Sequence, residues 1–226
     1  MLTRNWQRLS VAALAAAGLW AQAARDANSN YQTPEGRRAV ARGLGSPNRD
    51  ERQKPRQLVK AMDLGPGMVV ADVGTGVGYM LPFLSRAVGK EGRVLAQDIF
   101  DDFLQGAREK AEKEDLANVT FIKGDPDDPR LPENAVDVIL ALDSYHHYDY
   151  PEKMLAAFHK ALRPGGRLAV VEFYRRPNAM PNGRAMKHIR ADQPEVVREI
   201  ESGGFRLVSS QDHIKDSQYL AIFEKK

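Results

Sequence analysis

The sequence predicts an α/β chain: one doubly wound, mostly parallel seven-stranded sheet with helices on both faces and an antiparallel edge strand. Three observations predict it. Short continuous apolar runs, of the kind that form strands covered on both faces, recur through residues 68–172. Helix-length amphipathic segments or loops stand between them, the alternation that parallel crossover connections require. The tail 205–224 breaks the alternation with two strands and no helix between them, which reads as a hairpin-like addition at one sheet edge.

The first residues stand apart from that fold. Arg4 and Arg8 precede an apolar run from Leu9 to Ala21, and Ala21-Gln22-Ala23 puts small residues at the two positions a signal peptidase reads. Residues 1–23 are therefore expected to be an export leader, and cleavage would make the protein periplasmic or secreted. The run is shorter than the roughly 20 apolar residues of a comfortable span, so no stable membrane span is expected unless the leader is retained. The other readings are an amphipathic N-terminal helix or an organelle transit peptide; without export the protein is cytoplasmic, or membrane-anchored by an uncleaved leader. Residues 24–49 are polar and weakly periodic, punctuated by Pro34, Gly36 and Pro47, and read as a linker or lid.

The domain itself is expected over 50–226. A helical pattern with Leu58, Val59 and Met62 on one side runs from Asp50 to the Gly65-Pro66-Gly67 turn. Strands follow at 68–73, 93–98, 119–122, 136–141 and 167–172. Helices are expected near 78–88, 101–114 and 151–163, the last with Pro151 in its first turn and a stop at Pro164-Gly165-Gly166. Asp101 and Asp102 place negative charge at the start of the second of these, where the helix dipole favours it. A helix at 194–202 closes at Gly203-Gly204, and strands at 205–209 and 219–224 complete the sheet.

Composition narrows the function. With 42 % hydrophobic and 28 % charged residues over 226 positions, the chain buries a real core and is neither disordered nor polytopic. It has no cysteine, which removes thiolate metal sites and any Cys nucleophile. Its net charge of +3 falls to +1 without residues 1–23, and the remaining basic residues are scattered among acids, so no nucleic-acid partner is expected.

The segment carrying most chemistry is Asp72-Val73-Gly74-Thr75-Gly76-Val77-Gly78, where the first strand turns toward the first crossover helix. Glycine at every second position lets backbone pass close under a ligand, and the helix start that follows offers N–H groups to an anionic or zwitterionic group. A dinucleotide loop needs its third glycine one position later, where Tyr79 stands and would crowd a pyrophosphate. No Gly-Lys-Ser/Thr follows, which excludes a Walker loop.

These residues resemble the class I S-adenosylmethionine-dependent methyltransferases of small-molecule type, whose sheet is Rossmann-like. The resemblance covers roughly 50–226. The family's acid-and-glycine loop is matched by Val70-Ala71-Asp72-Val73-Gly74-Thr75-Gly76-Val77-Gly78, its ribose-binding acid by Asp98, and its adenine-side Gly-Asp by Gly124-Asp125. Leu142-Asp143-Ser144-Tyr145-His146-His147-Tyr148 is similar to the family's His-His-aromatic stretch, and Leu162-Arg163-Pro164-Gly165-Gly166-Arg167-Leu168 to its lead-in to the fifth strand. The resemblance implies S-adenosylmethionine as methyl donor, held by Asp72, Gly74, Thr75, Gly76, Gly78, Tyr79, Asp98, Ile99, Asp125, Pro126 and Leu142.

Methyl transfer from a sulfonium needs alignment and exclusion of water, and a base for some acceptors only. Asp143, Tyr145, His146 and His147 crowd the C-terminal end of the fourth strand and are the catalytic candidates; either histidine can take a proton or merely pack. His159 and His213 read as surface residues, and His188, with Arg184, Lys187 and Arg190, as part of a solvated basic loop. The Asn/Asp-Pro-Pro-Tyr/Phe motif of nucleobase enzymes is missing. No second acid follows Glu172 beside Asp143, so no metal is expected. The added segments, 24–49 and 174–193, are too short for a macromolecule-binding domain, which leaves a small-molecule acceptor. The alternatives are a nicotinamide-dependent oxidoreductase and a non-catalytic nucleoside-binding protein.

Overall fold

A computed structural model describes residues 24–226. The leader-like run and Ala21-Gln22-Ala23 lie outside those residues, and among the described residues no helix is long and apolar enough to cross a membrane. The sheet contains β1 (Val69–Val73), β2 (Arg93–Asp98), β3 (Val119–Lys123), β4 (Val136–Leu142), β5 (Leu162–Phe173), β6 (Phe205–Ile214) and β7 (Gln218–Lys225). Their order is β3-β2-β1-β4-β5-β7-β6. Strands β1 to β5 are parallel. β7 runs antiparallel to both β5 and β6, so the reversed strand lies one in from the edge. β5 begins earlier than its apolar core suggests, because Leu162 already pairs with Val136 ahead of a register shift.

The helices are α1 (Pro34–Leu44), α2 (Arg49–Gln53), α3 (Pro55–Ala61), α4 (Leu81–Val88), α5 (Asp101–Lys113), α6 (Pro151–Ala161), α7 (Ala185–His188) and α8 (Gln193–Ser202). Alternate strand residues feed two cores, as the pleat requires. Ala71, Leu95, Ile139, Val170 and Ala221 face Met154, Leu155 and Phe158 of α6 and Val196 and Ile200 of α8. Val70, Val94, Leu140, Val171 and Leu220 face Leu58 of α3 and Leu81, Leu84 and Val88 of α4. Helices thus cover both faces, and the continuous apolar runs of the sequence follow from that double burial.

Three local expectations change. The helix expected from Asp50 is broken in two, because Lys54 adopts φ 42° immediately before Pro55, and the residue preceding a proline is disfavoured in the right-handed helical region. The first crossover helix starts at Leu81 rather than near 78, since the loop runs on through Gly78. Residues 34–44, expected within a linker or lid, form α1: Thr33 accepts the Gly36 N–H and Pro34 occupies the first turn, so this proline starts a helix rather than breaking one.

Sheet order reverses between β1 and β4, and the chain crosses from these neighbours to opposite sides. The crevice beyond the C-terminal ends of β1 and β4 is where such sheets bind ligands.

Candidate active site

A cavity of about 330 Å³ opens at that crevice, lined from β1 by Val73, from β2 by Gln97 and Asp98, and from β4 by Leu142. Beneath it runs the glycine loop. Gly74, Gly76 and Gly78 have φ of 78°, 56° and 78°, conformations that L side chains rarely adopt. A Cβ on Gly74 would approach the Ser144 Cβ to 2.7 Å, and one on Gly76 would approach Leu44 Cδ1 to 2.9 Å.

The loop's N–H groups do not wait for an anion. Gly74 and Thr75 donate to the Gln97 carbonyl, each at 2.9 Å, and Gly76 donates to Asp98 Oδ2 at 2.9 Å. The loop therefore aims a carboxylate. Asp98 Oδ1 also accepts the Phe100 N–H at 3.0 Å, so both oxygens are fixed at the cavity wall with lone pairs remaining for donors. Burial pushes this carboxyl up to about 6, against the pull of the Gly76 and Phe100 N–H groups.

Asp72 lies under the loop. It is buried, does not line the cavity, and accepts the Thr75 hydroxyl at 2.7 Å. Burial raises it to about 6, with Thr75 and Arg49 opposing. Its role on this geometry is to hold Thr75 and the turn. Gly78 and Tyr79 also stand outside the cavity; the Tyr79 hydroxyl donates to Asp50 and its ring lies under the Arg49 guanidinium at 4.0 Å. Gly74, Thr75, Gly76, Ile99, Asp125, Pro126 and Leu142 all line it. Asp125 is held by Arg130 at 2.7 Å, while neighbouring Asp127 turns away to pair with Lys153.

At the far wall Asp143, with φ 52°, accepts the amide of Gln53 and, at 2.6 Å, that of Gln218. Burial and then the Glu172 carboxylate push it up to about 7, with Arg49 and His146 opposing. Beyond it the short 3-10 turn Tyr145–His147 sends its side chains three ways. Tyr145 points into the core and donates to Glu199 at 2.6 Å. His146 is buried, its Nδ1 at 2.6 Å from Glu172 Oε2. Only His147 reaches the cavity. Of the four catalytic candidates, Asp143 and His147 line the cavity, and Tyr145 and His146 do not.

His147 is held from the N-terminal segment. Asn28 Nδ2 donates to the His147 carbonyl at 3.0 Å, which leaves Asn28 Oδ1 to accept from His147 Nδ1 at 2.7 Å. The Tyr31 hydroxyl lies 3.4 Å from His147 Nε2. Burial, reinforced by the neighbouring His146 and His188, holds His147 well below its ordinary value and keeps it neutral. His188, expected in a solvated loop, is instead half-buried with its Nε2 3.2 Å from His146 Nε2. His159 and His213 are half-buried, the latter 2.7 Å from the Gln53 carbonyl.

Sequence reasoning allowed a lid but did not name the residues that form it. Asn28, Tyr31, Leu44 and Arg49 line the cavity from the segment expected as a linker or lid and from its junction with the domain. Their only local signal was the pair of polar and aromatic side chains before Pro34; docking over the crevice is a tertiary event. Gln97 was also missed. Its carbonyl holds the glycine loop and the residue lines the cavity, while its Nε2 is buried against Gly124 with no partner.

Residues 70–166 match a family model described as a methyltransferase domain. The ubiquinone/menaquinone biosynthesis C-methyltransferase UbiE of Teredinibacter turnerae is 34 % identical over 116 residues, 51 % of this chain and 47 % of that protein. The S-adenosyl-L-methionine-dependent Diels-Alderase iccD of Talaromyces variabilis is 35 % identical over 132 residues, 57 % of this chain and 44 % of that one. The chain thus spans about half the length of these curated relatives. A crystal structure of an S-adenosylmethionine-dependent methyltransferase from Aquifex aeolicus superposes with a TM-score of 0.74 at 29 % identity, covering 82 % of this chain and 96 % of that one. The [4+2]-cyclase SpnF shares the fold, with a TM-score of 0.64 at 17 % identity over 75 % of this chain and 81 % of that chain.

Proposed function

We propose that the chain is a class I S-adenosylmethionine-dependent methyltransferase, and that it transfers a methyl group from S-adenosylmethionine to an oxygen, nitrogen or carbon nucleophile of a small molecule, releasing S-adenosylhomocysteine. The observation that carries the reading is Asp98: a buried carboxylate at the end of β2, fixed by two backbone N–H groups and turned to a cavity over a glycine loop.

The residues present fit the methyl donor. The absent side chain of Gly76 leaves room that a Cβ would take toward Leu44, and Asp98 supplies acceptors for ribose hydroxyls. Thr75, Ile99, Asp125, Pro126 and Leu142 complete the wall for the adenosine and methionine parts. When bound, S-adenosylmethionine supplies a methyl group on a positively charged sulfur.

The chain's own part is positioning. Tyr31, Asn28 and Leu44 cover part of the cavity, which limits the access of water as a competing nucleophile. Asp143 takes the acceptor's proton where one must leave: it lines the cavity, and at about 7 its affinity for a proton matches a neutral working pH. The Gln53 and Gln218 amides hold its two oxygens in place. His147 shapes the acceptor end, and Tyr145 and His146 position the turn that carries it. The cavity volume supports a small-molecule acceptor. Export of the mature protein, on the leader-like residues 1–23, belongs to the same proposal.

The test is mass spectrometry of purified protein incubated with S-adenosylmethionine and a cell-extract metabolite pool. A product heavier by one methylene, with S-adenosylhomocysteine in equal amount and both absent for Asp98→Ala, is the expected result. Oxidation of reduced nicotinamide, or tight S-adenosylmethionine binding with no product from any pool, overturns it.

A further inference from the structure

Three imidazoles meet behind the cavity wall, with only His147 lining the cavity itself, and they come from two separate parts of the chain. His146 and His147 lie on the turn after β4 and His188 ends α7; one ligand atom of each lies within 4.8 Å of the others. We propose that His146, His147 and His188 form a binding site for a divalent borderline transition ion of the Zn²⁺ class.

Each histidine's hydrogen bonds set its tautomer. Glu172 Oε2 accepts from His146 Nδ1, so the proton of this ring sits on Nδ1 and Nε2 keeps its lone pair. Asn28 Oδ1 does the same for His147, because the Asn28 amide nitrogen is already committed to the His147 carbonyl. Carboxylate or amide oxygen on Nδ1 with Nε2 presented to the metal is the arrangement that orients imidazole ligands and raises their basicity. Glu172 is itself buried and also accepts the His146 backbone N–H at 3.1 Å, which fixes it behind the ring.

The spacing fits as well. Metal–nitrogen bonds of about 2.0–2.1 Å put ligand nitrogens about 3.3 Å apart around a tetrahedral ion. His146 Nε2 and His188 Nε2 already stand 3.2 Å apart, although the residues are 42 positions apart in sequence. In the metal-free site His188 donates its Nε2 proton to His146; the ion replaces that proton, which moves to His188 Nδ1. Closing the widest gap takes side-chain rotation of about 1.5 Å, and His188, half-buried on a four-residue helix, is the ligand placed to provide it.

Three imidazoles leave a fourth position. In the metal-free site the Tyr31 hydroxyl stands 3.4 Å from His147 Nε2, so it has to release that nitrogen for the ion to bind. Imidazole-only ligation favours a borderline ion over Mg²⁺ or Ca²⁺, which demand oxygen. The sequence expectation of no metal weighed only carboxylates near Asp143; it did not bring His188 to the turn.

The experiment needs no methyl acceptor. Full-length protein without a polyhistidine tag is stripped with chelator and titrated with Co²⁺ and then Zn²⁺, reading the visible absorption of Co²⁺ and its displacement by Zn²⁺, with S-adenosylhomocysteine affinity measured in parallel. The expected result is one Co²⁺ per chain with an intense tetrahedral spectrum. His188→Gln should abolish that spectrum, and Glu172→Gln should weaken the metal about 10- to 100-fold by removing the group that orients His146. Both variants should retain S-adenosylhomocysteine binding, which shows that they fold. A weak, octahedral-type spectrum in the unaltered protein, no binding, or binding unchanged in His188→Gln overturns the site. Where a variant fails to bind S-adenosylhomocysteine, the unaltered protein's spectrum decides alone. These outcomes are independent of whether methyl transfer is observed.

Discussion

Lowering the pH should weaken adenosine binding while easing a strain on the unliganded fold, and both effects come from Asp98. Its carboxyl is pushed from 3.8 to about 6 by burial. A group that binds its proton more tightly when folded leaves the fold unburdened below its unfolded value and burdens it progressively as pH rises toward the folded value. Moving from 3.8 to about 6 corresponds to about 3 kcal/mol, so through this residue the unliganded protein gains stability as pH falls from about 6 toward 4. Ribose hydroxyls, by contrast, donate to the ionised carboxylate. At pH 5 only about one tenth of Asp98 is ionised, and protonation removes one charge-assisted bond of about 1.5–3 kcal/mol, so the affinity should fall about 5- to 10-fold between pH 7.5 and pH 5. Asp143 titrates nearby at about 7 and would affect ligands carrying an amino-acid end, so adenosine, which has none, is the probe. Calorimetric titration at three pH values measures the affinity, with circular dichroism confirming the fold at each. An affinity that stays flat to pH 5 in folded protein would refute the ribose assignment.

Other outcomes follow from the same coordinates. Gly76→Val should abolish S-adenosylmethionine binding in calorimetry while the protein stays folded, because φ is 56° there and a Cβ would meet Leu44 Cδ1 at 2.9 Å, filling the cavity floor. Phe158→Ala, deep between α6 and the sheet, should lower the unfolding free energy in denaturant melts by about 3–5 kcal/mol. Intact-mass analysis of the native protein should find Ala24 as the first residue; recovery of a chain beginning at Met1 or Leu2 would give the apolar run another use.

Strands buried on both faces write themselves into the sequence as apolar runs, which is why β1, β2, β4 and β5 are legible from composition alone. The glycine loop and Asp98 are legible for a different reason: strand end, turn and acid follow one another locally, and local geometry determines them. Asp72 shows where locality misleads, because beside the glycines it can either face a ligand or brace the turn, and only the Thr75 hydroxyl tells which. The break at Lys54 was within reach of the pre-proline rule, had Pro55 been weighed against the periodicity of Leu58 and Met62. The crevice that the lid covers and the His188 contact were not within reach. Both depend on a polar segment folding back across the sheet, and nothing in the pattern of such a segment says which crevice it will cover.

That lid ties the first of the described residues to the cavity. Asn28 follows Ala23 by five residues, a reach of at most about 17 Å when extended, and it grips His147 at both backbone and ring. Anything joined to Ala24, whether a leader, a membrane or a fusion partner, therefore pulls on the buried helical turn 24–27 that leads into the Asn28 contact. Lys226, by contrast, is tied to Gly204 and touches none of the cavity wall. A reporter or tether added at the C-terminus leaves the site at rest, while one added at Ala24 loads it.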